Sequence, residues 1–119
     1  MPGSKRDRDR ATNAFRRWAR AGCPAAEEIR TVKGAEDLMA CAAVFVMLEK
    51  EKLRGRENNA AAEIAKAVRE VYMEEPHRPL RKLEVTFRVR RVAAECWVSE
   101  RQVYTWLARA RSMWWAYRE

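Results

Sequence analysis

The residues with the most specific chemistry lie near the C-terminal end, in the run Val92-Ala93-Ala94-Glu95-Cys96-Trp97-Val98-Ser99-Glu100-Arg101-Gln102-Val103-Tyr104-Thr105-Trp106-Leu107. A guanidinium such as that of Arg101 takes guanine bidentately, and an amide such as that of Gln102 takes adenine. Thr105 can meet a base edge or a thymine methyl. Tyr104 and Arg109 suit phosphate oxygens. Arg81, Lys82, Arg88, Arg90 and Arg91, just upstream, suit the same backbone contacts, which position a protein without reading sequence.

These side chains do such work only if two helices hold them outward. The spacing predicts that arrangement. Ala93 offers a small surface where a second helix crosses the first, with Val92 and Cys96 as further inward positions. Val98 plugs the turn. Ser99 is the N-cap of the next helix, and Ser99-x-x-Gln102 has the capping-box spacing. Val103 and Trp106 turn inward, which leaves Glu100, Arg101, Gln102, Tyr104, Thr105, Ala108 and Arg109 outward. The N-terminal residues of a helix so placed reach base edges in the major groove. Trp97 stands where glycine often supplies a left-handed turn. It implies strain, a wider turn, or packing beneath the N-terminal helices.

Further elements follow from periodicity. Residues 1–9 are charged and expected to fray, and a helix is expected from about Arg10 to Ala21. Phe15, Trp18 and Ala19 lie on its inner face, with Arg16, Arg17 and Arg20 on a solvated flank. Gly22 stops it, and Pro24 fits the first turn of a short helix through Ile29. Residues 35–53 form the most apolar segment. Leu38, Met39, Ala42, Phe45, Val46 and Leu53 share a broad face widened by Ala43, Val44 and Met47, which suits a core helix or a subunit interface. After Gly55 and a polar link over 56–59, Asn58 or Asn59 can cap a helix running to about Met73. Its stripe is Ile64, Ala67, Val68, Val71 and Tyr72. Glu75-Pro76-His77-Arg78-Pro79 then breaks the chain. That break divides an N-terminal helical region, 1–75, from a C-terminal module, 76–119. Residues 84–90 alternate as a strand would. Val85, Val89, Val92, Ala93 and Cys96 nonetheless continue a helical stripe, so helix is expected. The last helix spans Glu100 to about Tyr117, with Val103, Trp106, Leu107, Ala110, Met113, Trp114 and Tyr117 inward. Trp106, Trp114, Trp115 and Tyr117 read as core or interface rather than a stacking platform. The fold class is all-α, a small helical bundle with a C-terminal helix-turn-helix.

Composition agrees with that reading. The chain has 119 residues, 48% of them apolar, and a formal net charge of +8. Residues 1–75 hold 15 Lys/Arg against 13 Asp/Glu, a net +2, whereas residues 76–119 hold 10 against 4, a net +6. The positive excess therefore sits on the two-helix module, as expected for a nucleic-acid surface. Three cysteines and one histidine, His77, make neither a zinc site nor a disulfide framework. Cys96 falls on the apolar stripe as a core thiol. No catalytic set, Gly-rich phosphate loop, metal site or cofactor motif is present, so an enzyme is not expected. The longest apolar run, Leu38 to Leu48, is too short to span a bilayer. A cytoplasmic protein without a membrane partner is expected.

The stretch 92–107 is similar to the helix-turn-helix of region 4 in sigma factors. It also resembles phage late-gene transcription regulators of the ArpU and RinA type over about residues 85–112. That resemblance implies a prophage transcriptional regulator binding double-stranded DNA, with RNA polymerase as a further partner. It gives base reading to Arg101, Gln102 and Thr105, and the cap to Ser99. Two other readings stand beside it. One is a DNA-packaging subunit like the small terminase; the other is a protein-interaction module that docks through the Trp-rich last helix. Helix 35–53 suits homo-oligomerisation.

Overall fold

The computed structural model describes residues 5–29, 33–54 and 60–119, and every regular element among them is helical. Helix α1 spans Lys5–Arg20, α2 Ala35–Leu53, α3 Ala61–Ala67, α4 Lys82–Cys96 and α5 Glu100–Arg118. A 3-10 turn covers Ala26–Glu28, and α3 continues as a π-helical stretch over Val68–Met73. The helix over residues 82–96 resolves the ambiguity at 84–90. Val89 and Val92 are fully buried, and a strand would have exposed one of this odd-and-even pair. α1 begins earlier than periodicity implies: Lys5 to Asp9 are helical, not frayed. The first four residues, the end of α2 at Gly55, the 56–59 link and the asparagine cap lie outside the described residues. The N-cap of α3 is Ala60, in a left-handed conformation.

The core collects Phe15 and Trp18 of α1, Leu38, Cys41 and Val44 of α2, and Ile64, Val68 and Val71 of the α3 segment. Val89 and Val92 of α4 and Val103, Leu107 and Trp114 of α5 belong to the same cluster, so the core runs across the break at 74–81. Phe45 stacks on Trp18 with ring centroids 5.1 Å apart and meets Phe15 edge-on at 6.2 Å. Helix α2 deviates from its expected face. Leu38, Ala40, Cys41, Ala42, Val44 and Leu48 are buried, whereas Met39, Val46 and Leu53 are 42%, 55% and 76% exposed. With apolar residues almost all round, the sequence of α2 does not itself select the face that packs.

The far end of α5 is fastened to the start of α2. The Trp114 indole donates to the Asp37 carbonyl at 3.0 Å, and Arg118 Nε reaches the Asp37 carboxylate at 2.7 Å. Arg10 of α1 shares that carboxylate at 3.2 Å. Asp37 and Glu36 occupy the first turn of α2, where negative charge suits the helix dipole. Gly34 precedes them with φ +81°, and a Cβ there would stand 2.5 Å from an Arg17 guanidinium nitrogen.

Two arginines do the work of a cap where the π-helical stretch ends. Arg16 is 5% exposed, not a solvated flank residue. It donates to the Tyr72 carbonyl at 2.6 Å, the Glu75 carbonyl at 3.0 Å and the Arg78 carbonyl. Arg88, at 7% exposure, donates to the carbonyls of Val71 at 3.0 Å and Glu74 at 3.2 Å. Helix C-termini leave their last carbonyls without intrahelical donors. Here the donors come from α1 and α4, so the same bonds that finish one helix dock two others. Burial, and then the nearby positive charge of Arg88, lowers the Arg16 pKa from its ordinary value. Arg88→Ala strands buried carbonyls, which costs about 3 kcal/mol. Urea denaturation should show that loss, and a loss under about 1 kcal/mol for Arg91→Ala, whose guanidinium is partly solvated.

Candidate nucleic-acid interface

The turn between α4 and α5 has three residues, Trp97 to Ser99. Trp97 takes the left-handed conformation itself, φ 58° and ψ 42°. Its N–H and that of Val98 both bond to the Ala93 carbonyl, the latter at 3.0 Å, closing α4 as a Schellman motif does. The turn is therefore tight, and Trp97 is 92% exposed rather than packed under the N-terminal helices. Val98 packs half-buried against the core beside the buried Ala93, Val103 and Trp106. Ser99 Oγ accepts the Gln102 backbone N–H at 3.0 Å, which starts α5. The backbone of Gln102 serves that cap, and its residue stays on the exposed face.

Burial of Val103, Trp106, Leu107, Ala110 and Trp114 fixes the rotation of α5. Arg101, Gln102, Tyr104, Thr105, Ala108 and Arg109 are all exposed along its outer side. Thr105 Oγ1 donates back to the Arg101 carbonyl at 3.1 Å, leaving its methyl and lone pairs outward. Among the described residues no carboxylate lies within ion-pair distance of Arg101 or Arg109. Glu100, the acid at the start of the face, is 3.6 Å from Arg90 of α4. The structure thus brings together Ser99, Arg101, Gln102, Tyr104, Thr105, Arg109 and Arg90. Arg81 and Lys82 are exposed at the N-terminal end of α4.

One expected phosphate contact, Arg88, is corrected, and a second, Arg91, is exposed but engaged by acids. Arg88 is buried and committed to backbone carbonyls and to Glu84, so it does not face solvent. Arg91 is partly exposed but held by Glu74 at 3.0 Å and Glu70 at 3.4 Å. Burial works against its charge, yet the Glu74 hydrogen bond and the charges of Glu74 and Glu70 raise the Arg91 pKa overall. Sequence reasoning also missed two exposed apolar residues on α4: Leu83 and Phe87 are 72% and 64% exposed. Their signal was the complement of the inward stripe, since Leu83 and Phe87 fall outside the Val85-Val89-Val92-Cys96 series.

Cys96 is half-buried, Cys41 buried and Cys23 exposed, each a free thiol. Burial raises the pKa of all three, so none is an activated nucleophile. Among the described residues no three His, Cys, Asp or Glu side chains gather as a metal site, and no helix is long and apolar enough to cross a membrane. The chain matches no protein-family model, no curated protein and no solved structure.

Trp97 carries a left-handed strain and has almost no buried area to offset it. Trp97→Gly should raise stability by about 1 kcal/mol, moving the thermal midpoint up by roughly 3–5 °C. Ser99→Ala should lower stability by about 1 kcal/mol. Both are read from the same melting curves, and a destabilised Trp97→Gly would show that the indole packs in solution.

Proposed function

We propose that the chain binds double-stranded DNA and reads sequence with the outer face of α5 in the major groove. The observation that carries this is the unopposed charge of Arg101 and Arg109, exposed together with Gln102 and Thr105 on a helix whose inner side is locked by the core. Arg101 pairs with a guanine, Gln102 with an adenine, and Thr105 meets a neighbouring base. Tyr104, Arg109, Arg90, Arg81 and Lys82 contact phosphates. The tight turn sets α4 across the backbone at the entrance to the groove, the helix-turn-helix docking mode. The resemblance of residues 85–112 to sigma region 4 and to the ArpU and RinA regulators supports a role in controlling transcription.

Such modules commonly act as two-fold dimers on paired half-sites. Helix α2 offers a surface for a second copy. Met39 and Leu53 stand seven residues either side of Val46, and all three are exposed. An antiparallel two-fold pairing sets Val46 against its equivalent and Met39 of one copy against Leu53 of the other. Sedimentation equilibrium should give twice the chain mass, and Val46→Glu should give the chain mass alone; a monomeric wild-type chain contradicts the pairing.

Selection of bound duplexes from a random library tests base reading. The wild-type chain should return a defined site, and Arg101→Ala should lose discrimination at one base pair, by about 1–3 kcal/mol. An unchanged preference removes Arg101 from the reading set. No binding to any duplex at low salt ends the proposal.

A further inference from the structure

Beside the outer face of α5 lies a second basic surface, a groove of about 990 Å³ between α1, the loop at 76–80, the start of α4 and the middle of α5. Eight Lys and Arg residues line it against one acid, Asp9. A run of cations on a helix face is ordinarily just solvated, but this groove differs in how its guanidiniums are held. Arg20 donates to the Pro76 carbonyl at 2.9 Å and Arg111 donates to the Tyr72 hydroxyl. Arg17 donates to the Lys33 carbonyl at 3.3 Å, and Arg16 bonds only to carbonyls. These acceptors are neutral. They fix the guanidiniums in place and cancel none of their charge. Arg78, by contrast, is neutralised by Glu75 and Glu84. Lys5 and Lys82 stand exposed at the rim.

A groove whose fixed guanidiniums, from α1 and α5, have only neutral acceptors, with Lys5 and Lys82 at its rim, suits an extended polyanion. Tyr104 lines this groove and also belongs to the outer face of α5, so the two surfaces are continuous. From this we infer that the groove holds the phosphodiester backbone of the duplex whose bases α5 reads, with α1 as a second clamp. The inference rests on the DNA-binding reading above. It adds Lys5, Arg20 and Arg111, from outside the two-helix module, to the set that touches phosphate.

The test is a fluorescence-anisotropy titration of the full chain with a mixed-sequence duplex across a salt series. The double variant Lys5→Gln with Arg20→Gln removes two cations from α1 and touches nothing on α5. Its control is Lys50→Gln with Lys52→Gln, which removes equal charge from the exposed end of α2. The groove variant should flatten the slope of log K against log salt by about 2, and weaken binding roughly 10- to 100-fold near 0.1 M salt. The α2 control should keep the wild-type slope. Circular dichroism melts establish that both are folded; if Arg20→Gln unfolds the chain, Lys5→Gln alone should still flatten the slope by about 1. A groove variant indistinguishable from the α2 control overturns the clamp while leaving base reading by Arg101 intact. A wild-type chain that binds no duplex overturns both. Tight binding to anionic-lipid vesicles with none to duplex assigns the groove to a different polyanion and likewise contradicts the inference.

Discussion

Two buried guanidiniums hold this bundle together. The chain folds its middle helix, Ala61 to Met73, so that Val71 and Tyr72 in its last turn are buried and their carbonyls need donors from the protein. Arg16 from α1 and Arg88 from α4 supply the donors, and each reaches more than one carbonyl. A buried charge is costly unless it is hydrogen-bonded. The cluster of carbonyls at a helix C-terminus, with its partial negative charge, is a setting that meets this condition. The consequence is geometric. α1 and α4 cannot move relative to α3 without breaking charge-assisted bonds, so the platform beneath α5 is rigid.

Rigidity at that point bears on the exposed face. The rotation of α5 is set near its start by Val103 and Trp106, and at its end by Trp114 and Arg118 gripping Asp37. A helix pinned at both ends shows one side to solvent and keeps showing it. Arg101, Gln102, Thr105 and Arg109 inherit that side, spaced over about two and a half turns. The division of labour among the arginines follows the same logic. Those near the carbonyl cluster, near Glu70, Glu74 and Glu84, or at the far end of α5 beside Asp37 are used to build the protein, and Arg101 and Arg109 on the outer side of α5 are left without an acidic partner.

Much of this was legible in the sequence because it depends on local rules. The helix over residues 82–96 followed from the three- and four-residue steps of Val85, Val89, Val92 and Cys96, despite an alternating start. Ser99 announced the beginning of α5, and the outward set on α5 followed once Val103 and Trp106 were turned inward. What could not be read were long-range choices. Arg16 sits about 100° round the helix from Phe15, and nothing local marks it as buried. Its partners lie some sixty residues away, on backbone rather than side chains. Arg88 resembled its neighbours Arg90 and Arg91, and only the arrival of the Val71 and Glu74 carbonyls separates it from them. Helix α2 is apolar on nearly every side, so the exposure of Met39, Val46 and Leu53 was settled by packing. Trp97 is the inverse case: the position was recognised as needing a left-handed residue, and the chain accepts the strain with a tryptophan.

The central claim is that α5 presents its outer face to a DNA duplex. The most direct measurement is a titration of the ¹⁵N-labelled chain with a short mixed-sequence duplex at low salt, following backbone amide shifts by NMR. The account predicts that the largest shifts fall on residues 99–109, with the buried amides around Val68 and Val71 undisturbed. Shifts centred on another element, with 99–109 unmoved at saturating duplex, would contradict it.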